Sequence, residues 1–151
     1  MMSWQRLLSI AFLLGLCHGF ASEEKETHPL VKQLTETLGV SQEQALGGLG
    51  SLMTYGKALL KEDQFSQLKE GVPGMDDLLN AAPEVKEEGG GLGGLLGGDA
   101  KTLLATKALE KRFEALGLKP EWVAKYLPVV VTYLKEKGGE ALSGPFSSLF
   151  N

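Results

Sequence analysis

The stretch LGVSQEQALGGLGSLMTYGKALL, residues 38–60, constrains this chain more than any other. It opens on a helix stop, restarts at once, and then runs from Gln44 to Gly56 without a charged residue. Gly39 is placed as a left-handed helix stop, with Val40 set for the hydrophobic contact that accompanies such an end. Ser41 followed by Gln44 is a capping-box pattern, in which each side chain satisfies an orphan backbone N–H. At about 100° per residue, Ala45, Gly48, Leu49, Leu52, Gly56, Leu59 and Leu60 share one face of the helix that follows. The other side carries Gly47, Gly50, Ser51, Thr54 and Ala58, which are small and uncharged rather than charged. Each glycine inside a helix costs about 1 kcal/mol relative to Ala. Gly48 and Gly56 are explained by close approach of another helix. Gly47 and Gly50 need a second neighbour, or else mark flexibility. The strip Gly47, Gly50, Ser51, Thr54 and Ala58 is therefore the candidate interface: core if the rest of the chain covers it, a binding surface if not.

Upstream, residues 1–21 read as a secretory signal. Arg6 supplies the positive region, residues 7–16 an apolar run too short to span a bilayer, and Gly19-Phe20-Ala21 a small-residue cleavage site. Cleavage is expected between Ala21 and Ser22, giving an exported chain, periplasmic or secreted. Cys17 lies within the removed segment. It is poorly placed for lipidation because Leu16 precedes it, so the mature chain is expected to hold no disulfide. Residues 22–28 form a short charged tail. The remaining length suits one domain with its own core.

The full chain carries a formal net charge of −4, and loss of Arg6 makes the remainder more acidic. An acidic, mixed surface argues against nucleic acid, whose binders carry a basic stripe.

The rest of the chain reads as further helices. Pro29 suits a first helical position, and Leu30, Val31, Leu34 and Leu38 recur at helical spacing. Glu62-Asp63 starts a short helix with Phe65 and Leu68, with Gly71 as its stop. Val72-Pro73-Gly74 is a tight connection, and a second short helix with Met75, Leu78 and Leu79 ends by Pro83. Residues 84–99 then turn charged and Gly-rich and read as a flexible linker, in which Leu92, Leu95 and Leu96 are a candidate flexible element. Asp99 is expected to cap a helix running to about Leu116, with Ala105, Ala108, Leu109 and Phe113 on its apolar side. Gly117 stops it.

The last long helix, through Glu121 to Lys135, has a very wide apolar face: Trp122, Val123, Tyr126, Leu127, Val129, Val130, Tyr133 and Leu134. Pro128 inside it is expected to kink it. Gly138-Gly139 ends it, and a terminal piece with Leu142, Phe146, Leu149 and Phe150 is expected to break at Gly144-Pro145. Leu38-Gly39-Val40 and Leu116-Gly117-Leu118 hold equivalent places, and Thr54-Tyr55 and Thr132-Tyr133 follow at the same offset. Duplication and convergence of helical hairpins both produce such an echo. The fold class expected is all-α: a compact bundle of six or seven helices, in two helix–stop–helix halves joined by the Gly-rich linker.

Residues 38–53 followed by VPGMDDLL (residues 72–79) resemble the VcgC/VcgE family, a secreted bacterial domain of unknown function. The second half, through Leu127-Pro128-Val129-Val130, is faintly similar to YidB-type proteins. The resemblance implies fold and compartment and brings no activity, cofactor or site residue.

The residues themselves offer little chemistry. His28 is the only histidine after the signal segment and reads as a capping or solvated residue beside Pro29. Metal sites built on Cys and His need more ligands than this. Asp76-Asp77 and Glu87-Glu88 are adjacent pairs, and neighbours on a helix point apart. The Gly-rich segment lacks the Gly-Lys-Ser/Thr of a phosphate loop and no strand precedes it. Arg112, the only arginine after residue 21, reads as structural, with its stem packed among apolar residues. No catalysis, no cofactor and no metal are expected. The function expected is protein binding or self-association by an exported helical protein. The alternative is a membrane-interacting protein using the Leu/Gly-rich segment and the central helices.

Overall fold

A computed structural model describes residues 27–86 and 97–151. The signal segment, most of the charged tail and Leu92, Leu95 and Leu96 lie outside the described residues. Six helices follow in order: α1 (Pro29–Leu38), α2 (Gln42–Leu59), α3 (Glu62–Gly71), α4 (Met75–Ala81), α5 (Gly98–Ala115) and α6 (Trp122–Ser147), closed by a 3-10 turn, Ser148–Phe150. No strand occurs among the described residues. The fold is all-α.

Local chemistry sets the boundaries of the first two helices. His28 caps α1 by accepting the Leu30 N–H, and Pro29 occupies the first turn, where its missing N–H costs nothing. Gly39 ends α1 at φ 68°, and Val40 tucks into the core behind it. Ser41 and Gln44 form the expected reciprocal pair: Ser41 Oγ accepts the Gln44 N–H at 3.1 Å, and Gln44 Oε1 accepts the Ser41 N–H at 3.1 Å. The α5 end repeats the first device. Gly117 sits at φ 74°, Leu118 N–H donates to the Phe113 carbonyl, and Leu118 is buried as Val40 is.

α2 touches every other helix of the described chain. Its burial runs all the way round, including Ala45, Leu49, Leu52, Met53 and Tyr55 together with Gly47, Gly48, Gly50, Gly56 and Ser51. Each glycine admits a different neighbour. A methyl group on Gly47 would meet Leu116 Cδ2 at 2.6 Å, and one on Gly48 would meet Tyr126 Cε1 at 2.6 Å. On Gly50 it would collide with the Leu78 carbonyl and lie 2.9 Å from the Ala82 nitrogen. On Gly56 it would rest 3.4 Å from Phe146. The absent side chains are what let α4, α6 and the α5–α6 corner approach the helix axis.

Several boundary details differ from the sequence reading. α3 ends at Gly71 as expected, but the left-handed turn falls at Gly74, φ 72°, and what Gly71 makes room for is Leu142, which occupies the space a side chain there would need. α5 starts at Gly98 with Gly97 as cap, which puts Asp99 in the first turn, where its charge still favours the helix N-terminus. Backbone dihedrals stay helical through Pro128 and Pro145, and leave the helical region only at Gly138 and Gly139, the expected end of the long helix. That break splits α6. Its second piece folds back so that Phe146 packs at Gly56 and Phe150 lies 5.0 Å, ring to ring, from Tyr55. The terminal piece therefore does not break at Gly144-Pro145.

Candidate functional site

The five residues of the α2 strip separate by burial. Gly47, Gly50 and Ser51 are buried, while Thr54 and Ala58 are partly exposed. Ser51 Oγ donates to the Gly47 carbonyl at 2.7 Å, and Thr54 Oγ1 to the Gly50 carbonyl at 2.8 Å. Both hydroxyls are thus satisfied within the helix. With α4 on Gly50 and Leu116 on Gly47, the inner part of this strip is core rather than a free binding surface, because the chain itself occupies the close-approach positions.

Gln44 does more than cap. Its Nε2 donates to the Leu116 carbonyl at 3.1 Å, and its own carbonyl accepts the Tyr126 hydroxyl at 3.0 Å. One residue at the start of α2 therefore ties both later helices to it. The capping pattern is visible in the sequence and these tertiary bonds are not. Arg112 is buried and its Nε donates to the Pro83 carbonyl at 3.3 Å, fastening the end of α4 to α5. Asp76 pairs with Lys69 at 2.8 Å across the α3–α4 turn, on the surface, where such a pair contributes at most about 1 kcal/mol. Glu87-Glu88 lie outside the described residues. Among the described residues no group of three or more His, Cys, Asp or Glu side chains is placed to hold a metal ion. A surface depression on α5 is lined by Asp99, Thr102, Leu103, Thr106, Lys107 and Glu110, all from one helix. A wall made by a single helix face does not enclose a small molecule.

The feature that stands out is the outer side of α6. Its inner side buries Tyr126, Val129, Val130, Tyr133 and Leu134. Next to them, Val123, Leu127 and Val131 form a partly exposed stripe at four-residue spacing, with Trp122 at its start. Ala124, Pro128 and Thr132 are the exposed residues beside that stripe. Between Lys125 and Lys135 this helix carries no charge on any side. Lys125 lies at the rim with its Nζ 4.1 Å from the centre of the Trp122 ring. A solvated helix face ordinarily carries charge, and charge depletion at an apolar centre with a polar rim is the composition of a protein interface. The wide apolar face read from the sequence is the signal for this surface. It covers more of the circumference than burial on one side requires.

No helix among the described residues is long and apolar enough to cross a membrane. No curated protein and no solved structure matches the chain. A family profile, described as protein of unknown function VcgC/VcgE (DUF2780), matches residues 18–148. That match runs through the α2 stretch and through Leu127-Pro128-Val129-Val130 alike. With most of its length matched by the profile, the chain belongs to the VcgC/VcgE family of proteins of unknown function.

Proposed function

We propose that this is an exported helical protein that acts by binding another protein, or a second copy of itself, through the outer side of α6 and without catalysis of its own. The observation that carries this reading is the uncharged run between Lys125 and Lys135, with Val123, Leu127 and Val131 partly exposed along it. An interface of standard size needs an apolar centre that sheds water on contact, and this stripe supplies one. The small-residue strip of α2 contributes through Thr54 and Ala58 at most, since its inner members already have neighbours.

Sedimentation velocity of the chain from Ser22 onward, wild type against Leu127→Glu, tests the self-association form directly. Wild type is expected to gain mass with concentration, and the variant to remain a monomer with unchanged helicity. Flotation with neutral vesicles addresses the membrane-interacting alternative. Robust flotation of wild type, lost in Leu127→Glu, would overturn the protein-binding reading and favour a lipid surface.

A further inference from the structure

His28 is held in a way that requires it to be neutral. Its Nδ1 accepts the Leu30 N–H at 3.2 Å, so that nitrogen carries no proton. The proton of the neutral ring then belongs to Nε2. Nε2 is buried with the Pro73 backbone beside it and no well-formed hydrogen bond among the described residues. The ring rests against Tyr133 of α6, with centroids 6.1 Å apart, and against Gly74 of the α3–α4 turn, where an added methyl would lie 3.9 Å from its Cδ2. The preceding residue is also fastened, since Gln42 Nε2 donates to Thr27 Oγ1 at 3.2 Å.

We infer that His28 is an acid-sensitive latch, whose protonation releases the first turn of α1 from the α3–α4 turn and from α6. A proton on Nδ1 abolishes the cap, because two N–H groups then face each other. It also puts a positive charge at the positive end of the helix dipole. Leu30 and Val31 in that turn are buried, so its release exposes apolar surface at the chain's entry into the fold.

Among the described residues, the charged groups on the surrounding elements do not offset this. On α1, Lys32 lies 3.9 Å from Glu36. At the α3–α4 turn, Lys69 is bonded to Asp76, with Glu70 and Asp77 beside them. On α2, Glu43 is exposed. On α6, Lys137 lies over the Tyr133 ring, and the Tyr133 phenol stays neutral because burial raises its pKa. Burial lowers the His28 pKa below its usual 6.5, and the Pro73 carbonyl opposes that only in part. A base with a lowered pKa in the folded state stabilises that state above pH 6.5. The contribution is lost as the pH falls through the folded-state value, because the released state binds the extra proton.

The test is hydrogen exchange of the α1 amides, normalised to α5 amides of the same molecule, on the full chain at pH 7.5, 6.5 and 5.5. Wild-type opening of α1 should rise toward about tenfold per pH unit below 6.5, the slope of one proton. In His28→Asn, which caps without titrating, the ratio should stay flat. An equal rise in His28→Asn, or a flat wild-type ratio, overturns the latch. If the variant fails to fold, the His28 imidazole titration read by NMR in wild type decides. A midpoint below 6.5 supports the latch, and one at or above 6.5 overturns it.

Discussion

Two buried tyrosines on α6 differ by one bond, and that difference has a measurable consequence. Tyr126 is fully buried and donates its hydroxyl to the Gln44 carbonyl. Tyr133 is also buried, and its hydroxyl has no partner among the described residues. An intramolecular hydrogen bond contributes about 1 kcal/mol net, while removing an unsatisfied polar atom is neutral or favourable. Tyr126→Phe is therefore expected to lower stability by about 1 kcal/mol, and Tyr133→Phe to leave it unchanged or slightly raised, by urea denaturation of both. Gly50 gives the sharpest steric test. Alanine would gain about 1 kcal/mol of helix propensity in an open helix. Here its methyl would strike the α4 backbone, which cannot swing aside as a side chain can. We expect Gly50→Ala to destabilise by about 2 kcal/mol, in the range of overpacked cores. A gain in stability would show that α4 does not pack on Gly50.

At the scale of elements, helices announced by local chemistry were legible and contacts between helices were not. Pro29, the Ser41–Gln44 box and the left-handed Gly39 and Gly117 are written in adjacent residues, because caps and stops act within one turn. The Gly39 and Gly117 corners match in backbone and in the buried residue that follows, which supports the sequence echo at the level of geometry. Gly71 is the last residue of α3, as the sequence suggests, yet it is not left-handed there. Its real reason is Leu142, on the far side of the chain. Pro128 and Pro145 look like breaks, yet the backbone leaves the helix at Gly138-Gly139, where φ 61° and ψ −150° suit glycine alone. Gly139→Ala should cost about 1–3 kcal/mol in chemical denaturation. Gly144→Ala, with only Glu140 Oε2 at 4.0 Å from the added methyl, should be neutral or stabilising by up to about 1 kcal/mol. Equal effects at the two sites would remove the break as the reason for Gly139.

For the molecule as a whole, the all-α class and the central place of α2 follow from periodicity and from the uncharged run beginning at Gln44. The candidate surface was half legible. The wide apolar face of the last helix was plain, but which part of it stays uncovered depends on where α1, α3 and α5 lie, and no local pattern encodes that. The α2 strip was legible only as a choice between core and interface for the same reason, since small residues invite close approach without naming the neighbour; Gly47, Gly50 and Ser51 are buried, and Thr54 and Ala58 stay partly exposed. The central claim is that the outer side of α6 meets protein. A photo-crosslinking amino acid at position 127, in the full chain in intact cells, tests it most directly. We expect a protein adduct there, either a second copy or another polypeptide, and none from the same probe at exposed Lys107 on α5. Adducts to lipid alone, or equal protein capture at both positions, would contradict the account.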